Sequence, residues 1–175
     1  MKQDLFKEAI GGDRYLTVSM FKEELMVHIR EYQRAENDRM FPTKKGVSFN
    51  KRRWATFTSH LDEIERKVEL LKAKHPVDYS QHIGGGYYVT VMKDIKCVNI
   101  RRYWRPINLK KEVPTRTGIA LRLGEWDTLL ATIEQLHRKF PELKNSSPCY
   151  AREDHANQMG FYRCTECNPY EYQNY

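Results

Sequence analysis

The chain has few cysteines and no long apolar segment, and these absences narrow its class. Only four of its 175 residues are cysteine, which is too few for the disulfide framework of a small secreted domain. No apolar run approaches the roughly 20 residues that a membrane-spanning helix needs. The first ten residues, MKQDLFKEAI, are too polar and too acidic for a secretory signal. We therefore expect an intracellular, globular protein without a membrane segment.

Catalytic signatures are also missing from the sequence. The acidic residues are scattered, and no histidine lies beside a nucleophile in a recognisable motif. The glycines at positions 84–86 precede a strand pattern and lack the lysine and Ser/Thr of a phosphate-binding loop. A metal-dependent nuclease built from dispersed carboxylates remains as a catalytic alternative. We expect a protein that is not an enzyme.

The net charge is positive. The chain has 30 Lys and Arg residues against 23 Asp and Glu residues, which gives a formal charge of +7. Residues 73–145 contain 13 basic and 7 acidic residues, whereas residues 146–175 contain 2 and 4. This distribution favours a polyanionic partner, and nucleic acid is favoured over a membrane surface because no strongly basic amphipathic helix is evident.

Three sequence blocks occur twice in the same order. IGGDRYLTV at Ile10 recurs as IGGGYYVTV at Ile83, VHIREY at Val27 as VNIRRY at Val98, and GVSFNKRRW at Gly46 as GIALRLGEW at Gly118. The order is kept while the offset changes by only one or two residues, which indicates a duplicated unit with small changes in its turns. We expect one unit at residues 1–74, a second at residues 75–145, and a tail at residues 146–175.

Each unit has the pattern of four short strands followed by a long helix. Alternation predicts strands at residues 15–18 and 25–32 of the first unit. A third strand is expected to end near Phe41, because Pro42 cannot donate a hydrogen bond to a ladder. A fourth strand is expected at residues 47–49. The pattern predicts an α+β fold with two four-stranded antiparallel sheets.

Each predicted helix has a narrow apolar stripe. Asn50 is expected to cap the first helix. The stripes consist of Trp54, Phe57, Leu61, Ile64, Val68 and Leu71, and of Trp126, Leu129, Leu130, Ile133, Leu136 and Phe140. One helix covers only part of a four-stranded sheet, so we expect the two units to share their helices as an intramolecular pseudo-dimer. The chain is therefore expected to be a monomer, with Trp54 and Trp126 in its core.

The motif order resembles the transcriptional coactivator family called positive cofactor four. The motifs are IGG-x-RY-x-TV, IREY, KKG and SFN-x-x-x-W, followed by a long helix. The resemblance covers roughly residues 10–71 and again residues 83–143. It implies two tandem copies of a nuclear, non-enzymatic module that binds single-stranded DNA or melted duplex and assists the transcription machinery of RNA polymerase II.

The resemblance also implies particular binding residues. The family's aromatic residue after the REY-like motif falls on Trp104 in the second unit, whereas Gln33 stands there in the first. A second family aromatic falls on Phe21, and a deletion leaves Met92 or nothing at its place in the second unit. The matching basic residues are Arg30 and Arg101 in the second predicted strand, and Lys44 and Arg116 before the glycine.

The two units depart from the family pattern at several positions. Glu24 replaces a lysine, and Arg122 stands at the helix-capping asparagine of the second unit. Each unit has therefore lost part of the family's site. Either the two halves complement each other across one groove, or the affinity has weakened.

Aromatic and basic residues alternate closely near these positions, and Tyr32, Tyr103 and Arg105 complete the candidate set. Aromatic rings stack on bases whatever the sequence, while arginines contact phosphates. The alternative is ordinary strand packing, because aromatic residues favour strands. Three interpretations stay open: a binder of single-stranded DNA, a protein-interaction adaptor that keeps the fold with a weakened groove, and a binder of RNA.

The tail contains a candidate metal site. Cys164 and Cys167 have the CxxC spacing of zinc ligands, and Cys149 and His155 would complete a tetrahedron. The alternative is a flexible tail with unrelated thiols. Zinc is the only cofactor that the sequence suggests, and none is expected to be required. Cys97 lies alone in an apolar segment and is expected to be a buried thiol.

Overall fold

The computed structural model describes residues 3–170, and these contain two four-stranded antiparallel sheets. The strands of the first sheet are β1 (Phe6–Gly11), β2 (Arg14–Phe21), β3 (Glu24–Arg34) and β4 (Met40–Phe49). Those of the second are β5 (Asp78–Gly84), β6 (Tyr87–Met92), β7 (Ile95–Trp104) and β8 (Val113–Arg122). Each sheet is a meander in which consecutive strands pair. The predicted α+β class is confirmed.

Helices follow each sheet. They are α1 (Lys51–Ser59) and α2 (Leu61–Lys72) after the first sheet, and α3 (Leu123–Lys139) and α4 (Pro141–Lys144) after the second. The tail contains two short 3-10 turns, Cys149–Ala151 and Glu153–His155, and the helix α5 (Gln158–Arg163). Within residues 3–170, none of the helices is both long and apolar enough to cross a membrane.

The prediction of one long helix in the first unit is wrong, because the helix is interrupted at His60. The backbone N–H of His60 donates to the carbonyl of Phe57 at 3.1 Å, a contact one residue tighter than an α-helical bond. Just before it, the hydroxyls of Thr58 and Ser59 donate to backbone carbonyls three residues back, at 3.2 and 2.7 Å. Hydroxyl bonds of this type bend helices. The predicted cap is confirmed, since Asn50 accepts from the N–H of Arg53 at 2.8 Å.

Two strand predictions are also wrong. Strand β1 was not predicted, because among its residues only Ile10 is buried and its sequence does not alternate. Pro42 does not end a strand but lies inside β4, opposite Tyr32, so the predicted third and fourth strands are one. Because β4 is the edge strand of its sheet, a residue without an N–H is tolerated there. Pro114 occupies the same place in β8, opposite Tyr103.

A bulge follows Pro42 in β4 and Pro114 in β8, the two edge strands. Pairing moves from Tyr32–Pro42 to Arg30–Gly46 in the first sheet, and from Tyr103–Pro114 to Arg101–Gly118 in the second. At both bulges a glycine allows the neighbouring strand to come close. A Cβ atom on Gly46 would lie 2.5 Å from the Ile29 carbonyl oxygen, and one on Gly118 would lie 2.7 Å from that of Ile100.

A single hydrophobic core runs through both halves. Trp54 and Trp126 are fully buried, as predicted, and the ring of Phe57 lies 5.2 Å from that of Phe49 and 6.4 Å from that of Trp126. Helix α1 packs on β5, α2 packs on β6, and α3 packs on β1. The helices thus pack on the sheet of the other half, and α1 and α3 also contact their own sheets, which is consistent with the pseudo-dimer expected from the sequence.

Polar contacts across the two halves are not symmetric. Arg14, in the β1–β2 turn region, contacts Glu125 at the start of α3, with 3.2 Å between Nη1 and Oε1. At the equivalent place, the guanidinium of Arg53 in α1 lies 4.5 Å from the ring centroid of Tyr87. A salt bridge on one side therefore corresponds to a cation–π contact on the other.

Candidate nucleic-acid interface and metal cluster

The outer face of each sheet carries the residues that alternate with the core residues along its strands. On β3 these residues are Met26, His28, Arg30 and Tyr32, and on β7 they are Cys97, Asn99, Arg101 and Tyr103. Cys97 is half-buried rather than fully buried, and burial raises the pKa of its thiol. The inner faces belong to the core, so the outer faces and the sheet ends are the surfaces open to a ligand.

Arg30 and Arg101 lie at equivalent bulges and make equivalent bonds. Arg30 Nη1 donates to the Thr43 carbonyl at 2.9 Å, and Arg101 Nη1 donates to the Thr115 carbonyl at 3.0 Å. Arg30 also donates to the hydroxyl of Ser48 at 3.1 Å. Burial lowers the pKa of the Arg30 guanidinium. A guanidinium has five N–H donors, so these bonds hold each arginine in place without using all of its capacity for an anion.

Each outer face has one pair of tyrosines in edge-to-face contact. The pairs are Tyr15–Tyr32 and Tyr88–Tyr103, with ring centroids 5.0 and 5.1 Å apart. Tyr32 is only 7% exposed, and the Lys7 ammonium lies 4.2 Å from its ring centroid. Ser80 occupies the place of Lys7 in the second sheet, and Tyr103 is only partly buried. Burial raises the pKa of Tyr32. Tyr103 is therefore more exposed than Tyr32, while its partner Tyr88 is half-buried beside Tyr170.

Trp104 is the last residue of β7 and is 58% exposed. Strand alternation places it on the side of β7 opposite to Arg101 and Tyr103. A ligand that contacts Trp104, Arg101 and Tyr103 together must therefore extend around the end of the β7–β8 strand pair. Arg105, the next residue, is already engaged within the protein, because it pairs with Glu112 at 3.0 Å.

The remaining predicted residues are divided between the two sheets. Lys44 and Arg116 are exposed and lie in the two bulge segments, near Arg30 and Arg101 respectively. Phe21 is 45% exposed and ends β2, opposite Glu24. It lies about six residues along the strand pair from Arg30, which is roughly 20 Å at 3.3 Å per residue. The structure thus brings the bulge residues together within each half and separates Phe21 from them.

Four side chains of the tail converge on one point. The ligand atoms of Cys149, His155, Cys164 and Cys167 all lie within 4.8 Å of one another. The Cys149 sulfur is 3.6 Å from that of Cys164 and 3.8 Å from Nε2 of His155. Two thiolates on a tetrahedral zinc ion, at about 2.3 Å each, are about 3.8 Å apart. The spacing therefore fits a metal ion held by four protein ligands.

Neighbouring groups orient these four ligands. His155 Nδ1 contacts the Asp154 carboxylate at 2.9 Å, which leaves Nε2 directed to the cysteines. Backbone N–H groups of Cys167 and Glu166 hydrogen-bond to the Cys164 sulfur. Burial opposes ionisation of Cys164, but these bonds and the His155 ring outweigh it and lower the pKa of the thiol to about 7.

The cluster segment packs against the body of the protein. The Glu166 carboxylate lies 2.6 Å from the Arg53 guanidinium, and the Glu166 carbonyl accepts from the N–H of Gly85 at 2.8 Å. Further along, the hydroxyl of Tyr170 donates to the carbonyl of Tyr103 at 3.1 Å. The tail therefore connects the head of α1, the β5–β6 turn and the end of β7.

This docking of the tail was not predicted from the sequence. Arg53 and Glu166 are 113 residues apart, and no motif joins them. The one available signal was the position of Glu166 within the CxxC loop, since the residues inside such a loop are held rigidly once a metal is bound. Tyr87 and Tyr170 were likewise not recognised as partners of Arg53 and Arg105.

The fold and its surfaces define a pseudo-symmetric α+β protein in which two four-stranded sheets share their helices and a Cys/His cluster lies near the C-terminus. Residues 9–60 match the model of the family described as Transcriptional Coactivator p15 (PC4). This match confirms the resemblance to positive cofactor four within the first unit, and the second copy stays a prediction.

Two curated relatives with coactivator names are similar to this chain. The chain is 42% identical over 59 residues to the Caenorhabditis elegans protein named "Putative RNA polymerase II transcriptional coactivator", covering 33% of this chain and 48% of that protein. It is 31% identical over 71 residues to the RNA polymerase II transcriptional coactivator KELP of Arabidopsis thaliana, covering 41% of this chain and 42% of that protein. The chain thus spans about half the length of these relatives.

Proposed function

We propose that the protein is a non-catalytic, nuclear transcriptional coactivator that binds single-stranded or melted DNA, mainly through its second unit. The observation that carries the proposal is the exposed Trp104 at the end of β7, on the same side of the strand as the exposed Arg102. An exposed indole beside guanidinium groups supplies both parts of sequence-independent single-strand binding, namely base stacking and phosphate neutralisation. The coactivator names of the relatives support the same role.

The second unit is, in this proposal, a diverged copy of the first. Its sheet has the same strand order, and a proline and a bulge occupy the same places in its edge strand. Thr43 and Thr115 even make the same bond, each hydroxyl donating to a β3 or β7 carbonyl at 2.8 Å. Equivalent details at this level favour duplication over convergence.

The two units differ in the residues that a nucleic acid would contact. Gln33 stands where the second unit has Trp104, and Glu31 stands where it has Arg102. Glu31 lies 3.5 Å from Arg14, and its negative charge would repel phosphate. These differences favour the adaptor function for the first unit, whose outer face would contact a protein of the transcription machinery instead of DNA.

The experiment that tests the proposed function compares single-stranded DNA, duplex DNA and RNA of equal length in one binding series. We expect single-stranded DNA to bind more tightly than duplex. A preference for duplex, or no binding of single strands, contradicts the proposal. Tighter binding of RNA than DNA would point to contacts with the 2′-hydroxyl.

Replacing Trp104 with alanine is expected to weaken single-strand binding by about 1–3 kcal/mol with little change in salt dependence, because a stacking face is lost and no charge is removed. The matched control is Gln33→Ala, at the equivalent strand end of the first unit, which should bind as the parent does. Fluorescence anisotropy with a labelled oligonucleotide measures both. Parent-like affinity of the Trp104 variant would remove the stacking surface from the proposal.

Replacing Arg101 with alanine is expected to change the salt dependence instead. Loss of one phosphate contact should reduce the slope of log affinity against log salt by about 0.7, the single-strand value per contact. Arg30→Ala is the matched variant in the first unit, and a circular dichroism melt checks that both variants stay folded. An unchanged slope for Arg101→Ala would show that Arg101 supports only the bulge at Thr115.

The chain is expected to sediment as a monomer of 20.9 kDa. In a dimer of two chains, the first unit of one chain could pair with the first unit of the other. Arg14 of one would then face Arg53 of the other, because Arg53 occupies the repeat position of Glu125, and the two positive charges would repel. Glu125→Arg should therefore destabilise the monomer by about 1–2 kcal/mol, since this pair is only partly buried, and Arg14→Glu should restore part of the loss. An obligate dimer at micromolar concentration contradicts the proposal.

The Cys/His cluster is proposed to hold one Zn²⁺ ion. Three sulfurs and one imidazole nitrogen suit zinc, and four protein ligands leave no open position for a substrate. The ion would therefore be structural, and it would fix the loop that carries Glu166 against Arg53.

A further inference from the structure

The loop between β7 and β8, residues 105–112, exposes two large apolar side chains. Ile107 is 86% exposed and Leu109 is 52% exposed. The equivalent loop of the first unit, residues 35–39, has the sequence AENDR, which is shorter and contains no large apolar residue. The apolar tip is thus a feature of the second unit, the one that also carries Trp104.

The loop is closed at its base and contains one hydrogen-bonded turn. Arg105 and Glu112 form an ion pair of 3.0 Å where the loop leaves and rejoins the strands. The N–H of Leu109 donates to the carbonyl of Pro106 at 3.0 Å, which forms a turn, and Pro106 has a fixed φ. Ile107 therefore lies at the tip of this turn.

Exposed basic residues lie close in sequence to the apolar tip. Lys110 and Lys111 are exposed and follow Leu109 directly, while Arg102 is exposed on β7. An apolar side chain flanked by cations is the combination with which proteins insert between bases while contacting the adjacent phosphates. The same cations would disfavour an apolar partner protein, unless that protein were acidic. A nucleic acid is therefore the occupant that both features fit.

We propose that this loop recognises the junction between duplex and single-stranded DNA. Ile107 would pack on the outer face of the terminal base pair, and Trp104 would stack on the first unpaired base. A terminal pair already has one bare face, so packing there avoids the unstacking cost of insertion within a duplex. The inference rests on the proposed single-strand binding and adds the structure of the DNA that is preferred.

The test compares a forked DNA, in which a duplex carries a single-stranded arm, with a single strand and a blunt duplex. We expect the parent to bind the fork roughly tenfold more tightly than the single strand, because burying one aliphatic side chain is worth about that factor. The double variant Ile107→Ser with Leu109→Ser should bind the single strand as the parent does and lose the preference to within about twofold. Phe41→Ser, an exposed apolar residue near the first unit's loop, is the matched control and should keep the preference.

A fluorescent adenine analogue at the terminal base pair supplies a second measurement, since its emission changes when a side chain packs on it. The parent should change this emission and the double variant should not. A double variant that keeps the fork preference overturns the proposal. So does a parent that binds single strands without preferring the fork, an outcome that leaves the proposed function intact. A parent that binds no single strand overturns both.

Discussion

Replacement of Phe57 with alanine is expected to lower the free energy of unfolding by about 3–5 kcal/mol, the usual cost of removing a fully buried phenyl ring. Phe57 is completely buried, and its ring is 5.2 Å from Phe49 of the first sheet and 6.4 Å from Trp126 of the second unit. The cavity would therefore border both halves. We expect both to lose stability together.

Urea unfolding measured by far-UV circular dichroism and by tryptophan fluorescence tests this expectation, because the two signals should give one coincident transition. Leu70→Ala is the matched control. Leu70 lies on α2 with 40% of its surface exposed, so its loss should change stability by less than about 0.5 kcal/mol. Two separate transitions in the Phe57 variant would contradict the shared core.

Replacement of Cys164 with serine is expected to abolish metal binding. Protein purified under reducing conditions without chelator should contain about one equivalent of zinc, and the variant should contain almost none. Apparent binding free energies of structural zinc sites reach roughly 10–16 kcal/mol, so loss of one of four ligands is a large effect. Elemental analysis measures both proteins. Cys97→Ser, a half-buried thiol on β7, is the control and should keep the metal.

Metal removal is further expected to loosen the tail alone. Hydrogen exchange after chelation should accelerate in residues 146–170, including the N–H groups around Glu166, while the strands and α1–α3 stay protected. Unchanged exchange in the tail, or parent protein that contains no zinc, would exclude a structural metal site. Exchange that accelerates through both sheets would show that the cluster supports the whole fold.

The arrangement of two units with shared helices could be predicted from the sequence, mainly because the sequence contains a repeat. Two matched sets of blocks imply two equivalent units, and two helical stripes that exceed the need of one sheet imply that the helices are shared. The predictions that were wrong concern local features of single strands and helices. Strand β1 lacks alternation, Pro42 is tolerated because β4 is an edge strand, and the break at His60 depends on hydroxyl bonds that leave no periodic trace.

The candidate sites were predictable to different degrees. Ligand spacing predicted the Cys/His cluster, whose four side chains converge, whereas the binding role of Trp104, the residue after IRRY, stays a prediction. The covering of Tyr32 by Lys7 was not predictable, because Lys7 belongs to the strand that was missed. The contact of Glu166 with Arg53 required knowing how the tail folds back. Contacts between distant segments follow from the assembled fold and not from any local pattern.

The crossed packing of the helices has a consequence for synthesis on the ribosome. Strand β1 emerges first, yet the helix that covers it, α3, ends at residue 139. Helices α1 and α2 likewise emerge before β5 and β6, the strands on which they pack. The nascent first half must therefore hold Trp54 and Phe57 incompletely covered until most of the chain has been made. Folding is completed late, when contacts between segments distant in sequence form. Until then, the incomplete first half can pair with the first half of a neighbouring nascent chain.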